Sequence, residues 1–222
     1  MRKYSPKKLE EIWREVPVDY YQKSVKNNIL QRIWHKKRLE LVIRLLNESS
    51  NINKDNTKIL DVGCAGGWFI SSIFSHFPKG KYYGIDVYKD AIIHAKKIYP
   101  HISFSCADGH DLPFQKETFD LVICTNVLEH VKSPERIMSE IKRVLTQSGL
   151  VIIGIDSENI FFKTLWFIWK KFKGKIWKDA HLHKYKVKDL EKLFKKTGFI
   201  MKEKKFSNLG MFLVFKLTKS RK

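Results

Sequence analysis

The alternation of strand-like and helix-like segments after residue 57 is the strongest constraint on the fold. Apolar runs bounded by turn residues predict strands at 58–62, 81–86, 102–106, 119–125, 150–155, 199–206 and 211–219. Amphipathic segments predict helices at 67–77, 89–99, 134–145 and 187–197. This order predicts an α/β, Rossmann-like, doubly wound and mostly parallel seven-stranded sheet with helices on both faces and an antiparallel edge.

A helical extension precedes this predicted core. Apolar residues recur every three to four positions in two stretches, 7–16 and 20–47, which Pro17 separates. The polar segment 47–57 reads as a linker. We therefore expect a basic helical extension over residues 1–50 and a second domain over residues 57–222.

The net charge of +20 is unevenly distributed along the chain. Residues 1–50 hold 12 Lys and Arg against 6 Asp and Glu, and residues 151–222 hold 19 against 6. Residues 51–150 are nearly balanced, with 12 against 11. The two ends therefore carry the positive field, which favours an anionic partner.

The sequence offers no sign of a disulfide, a metal site or a membrane span. Cys64, Cys106 and Cys124 are far apart and are expected in or beside buried strands. Free thiols indicate a reducing, cytoplasmic setting. The N-terminus lacks the apolar segment of a signal peptide, and the apolar cluster 160–169 is shorter than the about 20 residues of a spanning helix.

Acidic and amide side chains follow four of the predicted strands. Asp61 precedes a turn containing Gly63, Ala65, Gly66 and Gly67, whereas Asp86, Asp108 with Gly109, and Asn126 end or follow the next three strands. Ligands of such sheets bind outside the carboxyl ends of the strands. We therefore expect these residues to form one binding crevice.

Asp86 and Asp61 together indicate the ligand. Asp86 lies 19 residues after Gly67, near the offset of an acid that accepts hydrogen bonds from ribose hydroxyls. Asp61 would repel a pyrophosphate, which disfavours a nicotinamide cofactor, and would attract an ammonium or sulfonium group. S-adenosyl-L-methionine carries both cations and no phosphate, so we expect it to be the cofactor.

Six segments in this order resemble the class I S-adenosylmethionine-dependent methyltransferases, in particular the type 11-like group acting on small molecules and lipids. They are 61–67 (DVGCAGG, with Ala65 at the middle glycine), 83–86 (YGID), 107–109 (ADG), 112–114 (LPF), 119–122 (FDLV) and 126–131 (NVLEHV). The resemblance implies cofactor contacts from Asp61, Gly63, Cys64, Ala65, Gly67, Asp86, Val87, Asp108, Gly109 and Asn126, with Asp108 near the adenine amino group. Asp120 reads as structural.

His130 and Glu129 are the candidate catalytic bases because they follow the fourth strand. The alternative for His130 is a packing role at the top of the sheet. His181 and His183 could close over the acceptor or lie in a surface turn. No N/D-P-P-Y/F tetrad follows the fourth strand, which argues against a planar nitrogen acceptor in this family.

The segment 159–178 combines three tryptophans, four phenylalanines and six lysines. It lies inside an insertion at about 156–182 where the resemblance implies an acceptor lid. Aromatic residues beside lysines favour peripheral contact with an anionic membrane and a hydrophobic or lipid-linked acceptor. Two alternatives stay open: a lid over a soluble small metabolite, and, ranked lower, RNA binding or RNA methylation.

Overall fold

The computed structural model describes residues 16–49, 56–157 and 182–220. Seven strands form a single sheet in the order β3-β2-β1-β4-β5-β7-β6. They are β1 (Lys58–Val62), β2 (Lys81–Asp86), β3 (Ser103–Cys106), β4 (Phe119–Thr125), β5 (Leu145–Asp156), β6 (Phe199–Ser207) and β7 (Phe212–Lys219). Strands β1 to β5 are parallel, and β7 is antiparallel to both β5 and β6. The predicted α/β class and doubly wound sheet are confirmed.

Six helices belong to the described residues. They are α1 (Tyr20–Asn27), α2 (Ile29–Asn47), α3 (Trp68–Phe74), α4 (Lys89–Ile98), α5 (Pro134–Val144) and α6 (Val187–Lys196). The helix predicted over 7–16 lies almost entirely outside the described residues. The segment 159–178 and His181 also lie outside them.

The prediction of one continuous helix over 20–47 was wrong at Asn28. This residue has extended backbone angles, with φ −133° and ψ 114°. Its side-chain oxygen accepts hydrogen bonds from the backbone N–H groups of Leu30 at 3.0 Å and Gln31 at 3.1 Å. Asn28 therefore caps the start of α2, a role that its short amide side chain performs well.

The sheet separates two cores. On one face, side chains such as Leu60 and Val122 pack against α5 and α6. On the other face, Ile59 and Ile123 pack against α2, α3 and α4. Because side chains alternate along a strand, Asp61 points to the same face as Ile59, the face that α2 covers.

Two further details differ from expectation. Strand β5 begins at Leu145 rather than at residue 150, because its first residue pairs with Phe119 of β4. Cys64 and Cys124 are buried as predicted, but Cys106 is exposed because β3 is an edge strand. Among the described residues, no helix is long and apolar enough to cross a membrane.

Candidate cofactor and acceptor site

The glycine turn follows β1 and is held against the end of β2. The backbone N–H groups of Gly63 and Cys64 both donate to the carbonyl of Ile85, at 2.8 and 3.0 Å. Gly63 has φ +78°, and a Cβ built on it would lie 2.3 Å from Cγ2 of Val127. Only glycine fits this position, which leaves the backbone of the turn open to a close ligand.

Asp86 ends β2 and is bound to the same turn. Its Oδ2 accepts from the backbone N–H of Ala65 at 2.8 Å, and its Oδ1 accepts from that of Tyr88 at 2.8 Å. Burial raises the pKa of Asp86, while these backbone hydrogen bonds act in the opposite direction. The carboxylate is thus fixed in orientation and keeps lone pairs for a ligand's hydroxyl groups.

Asp61 is the penultimate residue of β1 and is only 2% exposed. Burial raises the pKa of Asp61 well above its usual value, and the nearby Asp86 charge raises it further. A cationic ligand beside Asp61 would relieve both effects. This environment favours the ammonium or sulfonium group that the sequence predicted.

Asp108 and Gly109 follow β3. Oδ1 of Asp108 accepts from the backbone N–H of His110 at 2.9 Å and lies 2.7 Å from its Nδ1. Burial raises the pKa of Asp108, but the two His110 contacts outweigh it and hold the pKa below its usual value. Gly109 packs closely, since a Cβ there would lie 2.9 Å from Cδ1 of Ile137.

A cavity of about 1120 Å³ opens at the carboxyl ends of the strands. Its lining includes eight of the residues singled out in the sequence: Gly63, Ala65, Asp86, Val87, Asp108, Gly109, Asn126 and His130. Asp61 and Cys64 line a smaller adjoining space of about 30 Å³, together with Gly63 and Ala65. Ligand pockets usually measure about 300–1,000 Å³, so the larger cavity has room for a nucleoside cofactor and an acceptor.

Two residues of the predicted set line neither space. Gly67 has φ +78° and precedes α3, and a Cβ there would lie 2.7 Å from Cζ of Phe104. Its role is therefore to let the turn enter the helix. Glu129 is 3% exposed, and its Oε1 accepts from Nδ2 of Asn126 at 3.1 Å.

The two candidate bases therefore differ in position. His130 is 8% exposed and lines the cavity, and its backbone N–H donates to the Val127 carbonyl at 2.9 Å. The carbonyl of Glu129 accepts from the backbone N–H groups of Leu182 at 2.8 Å and His183 at 3.1 Å. Of the pair, His130 is the one placed to meet a ligand.

Two other side chains are held by the protein itself. Nε2 of His183 lies 2.9 Å from the Val131 carbonyl, and its ring stacks on Tyr185. His183 does not line the cavity. Asp120 accepts from the backbone N–H of Lys58 at 2.9 Å, which fixes the start of β1 and is a structural role.

The N-terminal helices contribute a wall that the sequence reasoning missed. Nε2 of Gln22 donates to the Gly66 carbonyl at 3.2 Å, and a Cβ on Gly66 would lie 2.3 Å from the Val18 carbonyl oxygen. Tyr21 and His35 line both spaces. The residues before and within α1 therefore cover the glycine turn.

Arg38 is the most informative residue of this wall. It is 7% exposed, lines both spaces, and its guanidinium lies 4.2 Å from the centre of the Phe212 ring. Its Nε has no hydrogen-bond partner among the described residues. Burial, and then the Arg38 charge, lower the pKa of His35 to about 3. A buried guanidinium with an unused donor calls for an anionic ligand group, such as a carboxylate.

Together these features fit an aminoacyl nucleoside without phosphate. Asp86 can accept from ribose hydroxyls, Asp61 favours a cation, and Arg38 favours a carboxylate. The close glycine backbone leaves space for the ligand's chain. S-adenosylmethionine has each of these groups in one molecule.

Comparison with known proteins agrees with this reading. Residues 60–153 match the family described as "Methyltransferase domain". The chain carries a class I S-adenosylmethionine-dependent methyltransferase domain. S-adenosylmethionine is the cofactor of this type of domain, and when bound it supplies an electrophilic methyl group on sulfonium sulfur.

Relatives of this methyltransferase domain include proteins with and without an assigned activity. An uncharacterized protein of Methanocaldococcus jannaschii is 35% identical over 116 residues, which is 52% of this chain and 54% of that protein. A malonyl-[acyl-carrier protein] O-methyltransferase of Halalkalibacterium halodurans is 22% identical over 144 residues, or 62% of this chain and 51% of that enzyme. The chain thus spans about half the length of the curated relatives it matches.

Among solved structures, the magnesium protoporphyrin IX methyltransferase of Synechocystis with bound S-adenosylhomocysteine has a TM-score of 0.75 at 17% identity. The match covers 97% of this chain and all of that one. At this identity the likeness supports the fold of the methyltransferase domain and not its acceptor.

Proposed function

We propose that this protein transfers the methyl group of S-adenosylmethionine to an acceptor with a hydrophobic body. A hydrophobic acceptor is supported by the apolar side chains that line the cavity beyond the cofactor residues. Leu30 is 73% exposed, Ile33 45% and Leu209 79%, and all three line the cavity. Exposed apolar side chains gathered around a deep pocket are typical of a binding site for an apolar ligand.

The order of strands divides the cavity into two halves. The cofactor residues follow β1, β2 and β3, on one side of the point where the strand order reverses. The apolar wall is formed by α2 and the turn between β6 and β7, beside the ends of β4 and β5. An acceptor in that second half would face the cationic end of the cofactor near Asp61.

The chemistry asked of the protein is mainly to position the acceptor and to exclude water. A lone pair of the acceptor forms the new bond to the methyl carbon, the electron pair of the broken bond stays on sulfur, and the acceptor's proton is released. His130 lines the cavity next to β4 and is our candidate to receive that proton. Two similar proteins are named as an O-methyltransferase and as a methyltransferase of magnesium protoporphyrin IX, and both names are compatible with such an acceptor.

We further propose that the mouth of the cavity contacts an anionic membrane. Ile29 and Leu30 are exposed at the start of α2, and the exposed Lys26, Lys36 and Lys37 flank them. Apolar residues inserted among lysines suit an interface of anionic lipids. Sedimentation with phosphatidylserine vesicles at low salt, lost at high salt, is the expected behaviour, and no sedimentation at low salt would contradict it.

Transfer of labelled methyl from S-adenosylmethionine into a fractionated cell extract tests the function. We expect label in the lipid fraction with the wild-type protein and none with Asp86→Asn. Label confined to the aqueous fraction would assign a soluble metabolite, and label in RNA would assign a nucleic-acid acceptor. Either of these outcomes would overturn the hydrophobic acceptor.

A further inference from the structure

The floor of the acceptor half is made by residues at the ends of β4 and β5. Asn126 directly follows β4, and Asp156 is the last residue of β5. Thr125 pairs with Gly154 in the sheet, and the backbone N–H of Asn126 donates to the Gly154 carbonyl at 2.9 Å. Asn126 and Asp156 therefore both lie at the carboxyl ends of neighbouring strands, and both line the cavity.

Each of these two residues has a buried oxygen that pairs with no described residue. Oδ1 of Asn126 and Oδ1 of Asp156 have no hydrogen-bond partner among the described residues. A buried acceptor without a donor costs about 1–3 kcal/mol, so two such oxygens in one cavity wall call for a ligand that donates. Because both oxygens are hydrogen-bond acceptors, only a ligand group with an N–H or O–H can pair with them.

The orientation of the Asn126 amide is fixed by its neighbour. Nδ2 of Asn126 donates to Oε1 of Glu129 at 3.1 Å, and a carboxylate can only accept there. The oxygen must therefore point away from Glu129. Asn126 also has φ +54°, a left-handed conformation that asparagine tolerates better than most residues. The backbone thus holds this amide in one place.

The turn between β6 and β7, which lies beside Asp156 because Asp156 pairs with Phe212, also has an unusual backbone. Asn208, Leu209 and Gly210 have φ of 51°, 56° and 76°, so three consecutive residues are left-handed. Nδ2 of Asn208 donates to the Trp34 carbonyl at 3.2 Å, which ties this turn to α2. Leucine is seldom found in this conformation, and strain of this kind persists where the surrounding structure imposes it. The result is that Leu209 is held in the lining of the same cavity as the two oxygens.

We propose that the acceptor binds with its apolar body against α2 and the Asn208–Gly210 turn. Its reacting group directs the single hydrogen of a hydroxyl, or the two hydrogens of an amine, at Oδ1 of Asn126 and Oδ1 of Asp156. This inference rests on the proposed function and adds the chemical class of the reacting end. It separates Asp156 from Asp61 and Asp86, which serve the cofactor. On transfer, the atom that these oxygens orient forms the bond to the methyl carbon, and its proton passes to His130, which lines the same cavity.

A matched pair of probes tests the proposal without knowledge of the natural acceptor. 2-Naphthol has an apolar body and a hydroxyl donor, and 2-methoxynaphthalene has the same body without the donor. Binding of both would be measured by ligand-observed NMR titration to protein saturated with S-adenosylhomocysteine. We expect the naphthol to bind about tenfold more tightly, the effect of one good hydrogen bond.

The variants assign this preference to particular atoms. Asp156→Leu removes the carboxylate at similar size, and Asn126→Gly removes the amide at a position where glycine accepts the backbone angle. Each should reduce the preference toward twofold. Asp156→Leu, at a residue outside the predicted cofactor set, should leave the affinity for S-adenosylhomocysteine unchanged. Ser207→Ala is the control, because Oγ of Ser207 is also buried without a partner but Ser207 is not part of the cavity lining.

Three results would overturn the proposal. They are equal affinity of the two probes for the wild-type protein, no binding of either probe, and a preference that survives in both variants. If Asp156→Leu instead weakens S-adenosylhomocysteine, Asp156 belongs to the cofactor and the proposal is also wrong. Failure of the wild-type protein to bind S-adenosylhomocysteine would contradict the proposed function itself, and the two failures are thus distinguishable.

Discussion

The backbone N–H of Ala65 donates a 2.8 Å hydrogen bond to Oδ2 of Asp86. This contact joins the turn after β1 to the acid that ends β2, so it fixes the two parts of the cofactor site relative to each other. Ala65 makes it with φ +46°, in the left-handed region that favours glycine. The alanine at the middle glycine position therefore keeps the backbone geometry of the turn.

Replacing Arg38 should remove the protein's preference for a cofactor that carries a carboxylate. We expect Arg38→Met to bind S-adenosylhomocysteine roughly ten- to a hundredfold more weakly, because a charged hydrogen bond is lost from a buried site. The wild-type protein should prefer S-adenosylmethionine to decarboxylated S-adenosylmethionine, and the variant should not. Calorimetric titration measures both, with the exposed Lys36→Met as control. An unchanged preference in Arg38→Met would remove Arg38 from the cofactor site.

Replacing Asp61 should have opposite effects on stability and on binding. Burial, reinforced by Asp86, raises the pKa of Asp61. The folded state therefore favours the protonated carboxyl, and the stability of the ligand-free protein falls as pH rises from the usual aspartate pKa through the raised value.

We expect ligand-free Asp61→Asn to melt at a higher temperature than wild type at pH 7, by about 2–4 °C for each kcal/mol by which the free energy of unfolding rises. Its preference for S-adenosylmethionine over S-adenosylhomocysteine should fall, because only the former has a sulfonium. Thermal melts from pH 4 to 8 and titrations with both ligands give the answer. A lower melting temperature across this range would contradict the account of Asp61.

Substitution of Gly66 tests whether the chain before and within α1 covers the turn. An added Cβ would lie 2.3 Å from the Val18 carbonyl oxygen, which belongs to the backbone and cannot rotate away. We expect Gly66→Ala to displace residues 18–22 and to speed hydrogen exchange through α1. Release of S-adenosylhomocysteine should quicken with it. Ser75→Ala, at the exposed end of α3, should match wild type. Unaltered exchange in Gly66→Ala would show that the contact is not maintained.

Glu140 and Arg143 should stabilise the loop that follows β3. Oε2 of Glu140 accepts from the Leu112 N–H at 2.9 Å and from Arg143 at 2.7 Å, and Arg143 also donates to the carbonyls of Leu112 and Phe114. The Arg143 hydrogen bonds lower the pKa of Glu140 although burial opposes them. This pair therefore contributes stability above the usual glutamate pKa and loses it as pH falls through the lowered value.

We expect Glu140→Gln to cost roughly 1–3 kcal/mol in the free energy of unfolding at pH 7. The difference from wild type should shrink as the pH falls from the usual glutamate pKa through the lowered value, because the wild-type carboxyl becomes protonated there. Urea denaturation at several pH values measures this, and Glu135→Gln on the same helix is the control because its side chain is 47% exposed. A pH-independent difference would assign the effect to packing alone.

The strands of the sheet could be predicted from the sequence because each is a short apolar run between turn residues. Strand β4 was predicted with its observed bounds, Phe119–Thr125, since its side chains are covered on both faces. The break at Asn28 was missed because the apolar spacing continues across it. The break depends on the side chain of Asn28, which caps α2. Asparagine also occurs inside helices, at a cost in helix propensity, so its presence alone does not predict a break.

The acids of the site could be found because strand ends of a parallel sheet converge. Arg38 and Tyr21 could not, since their role arises from the packing of α1 and α2 over a turn far away in sequence. The positive charge of residues 1–50, which includes Arg38, was expected to meet an anionic partner. In the structure His35, Arg38 and Leu39 share the buried face of α2, a spacing of three to four residues that the sequence does contain.

Calorimetric titration of S-adenosylhomocysteine into wild-type protein and Asp86→Asn tests the central claim most directly. We expect saturable binding of one ligand per chain, weakened roughly ten- to a hundredfold in Asp86→Asn and unchanged in the exposed control Asp90→Asn. NAD⁺ should give no binding, because Asp61 would face its pyrophosphate. Equal affinity of wild type and Asp86→Asn, or displacement of S-adenosylhomocysteine by NAD⁺, would contradict the assignment of this cavity.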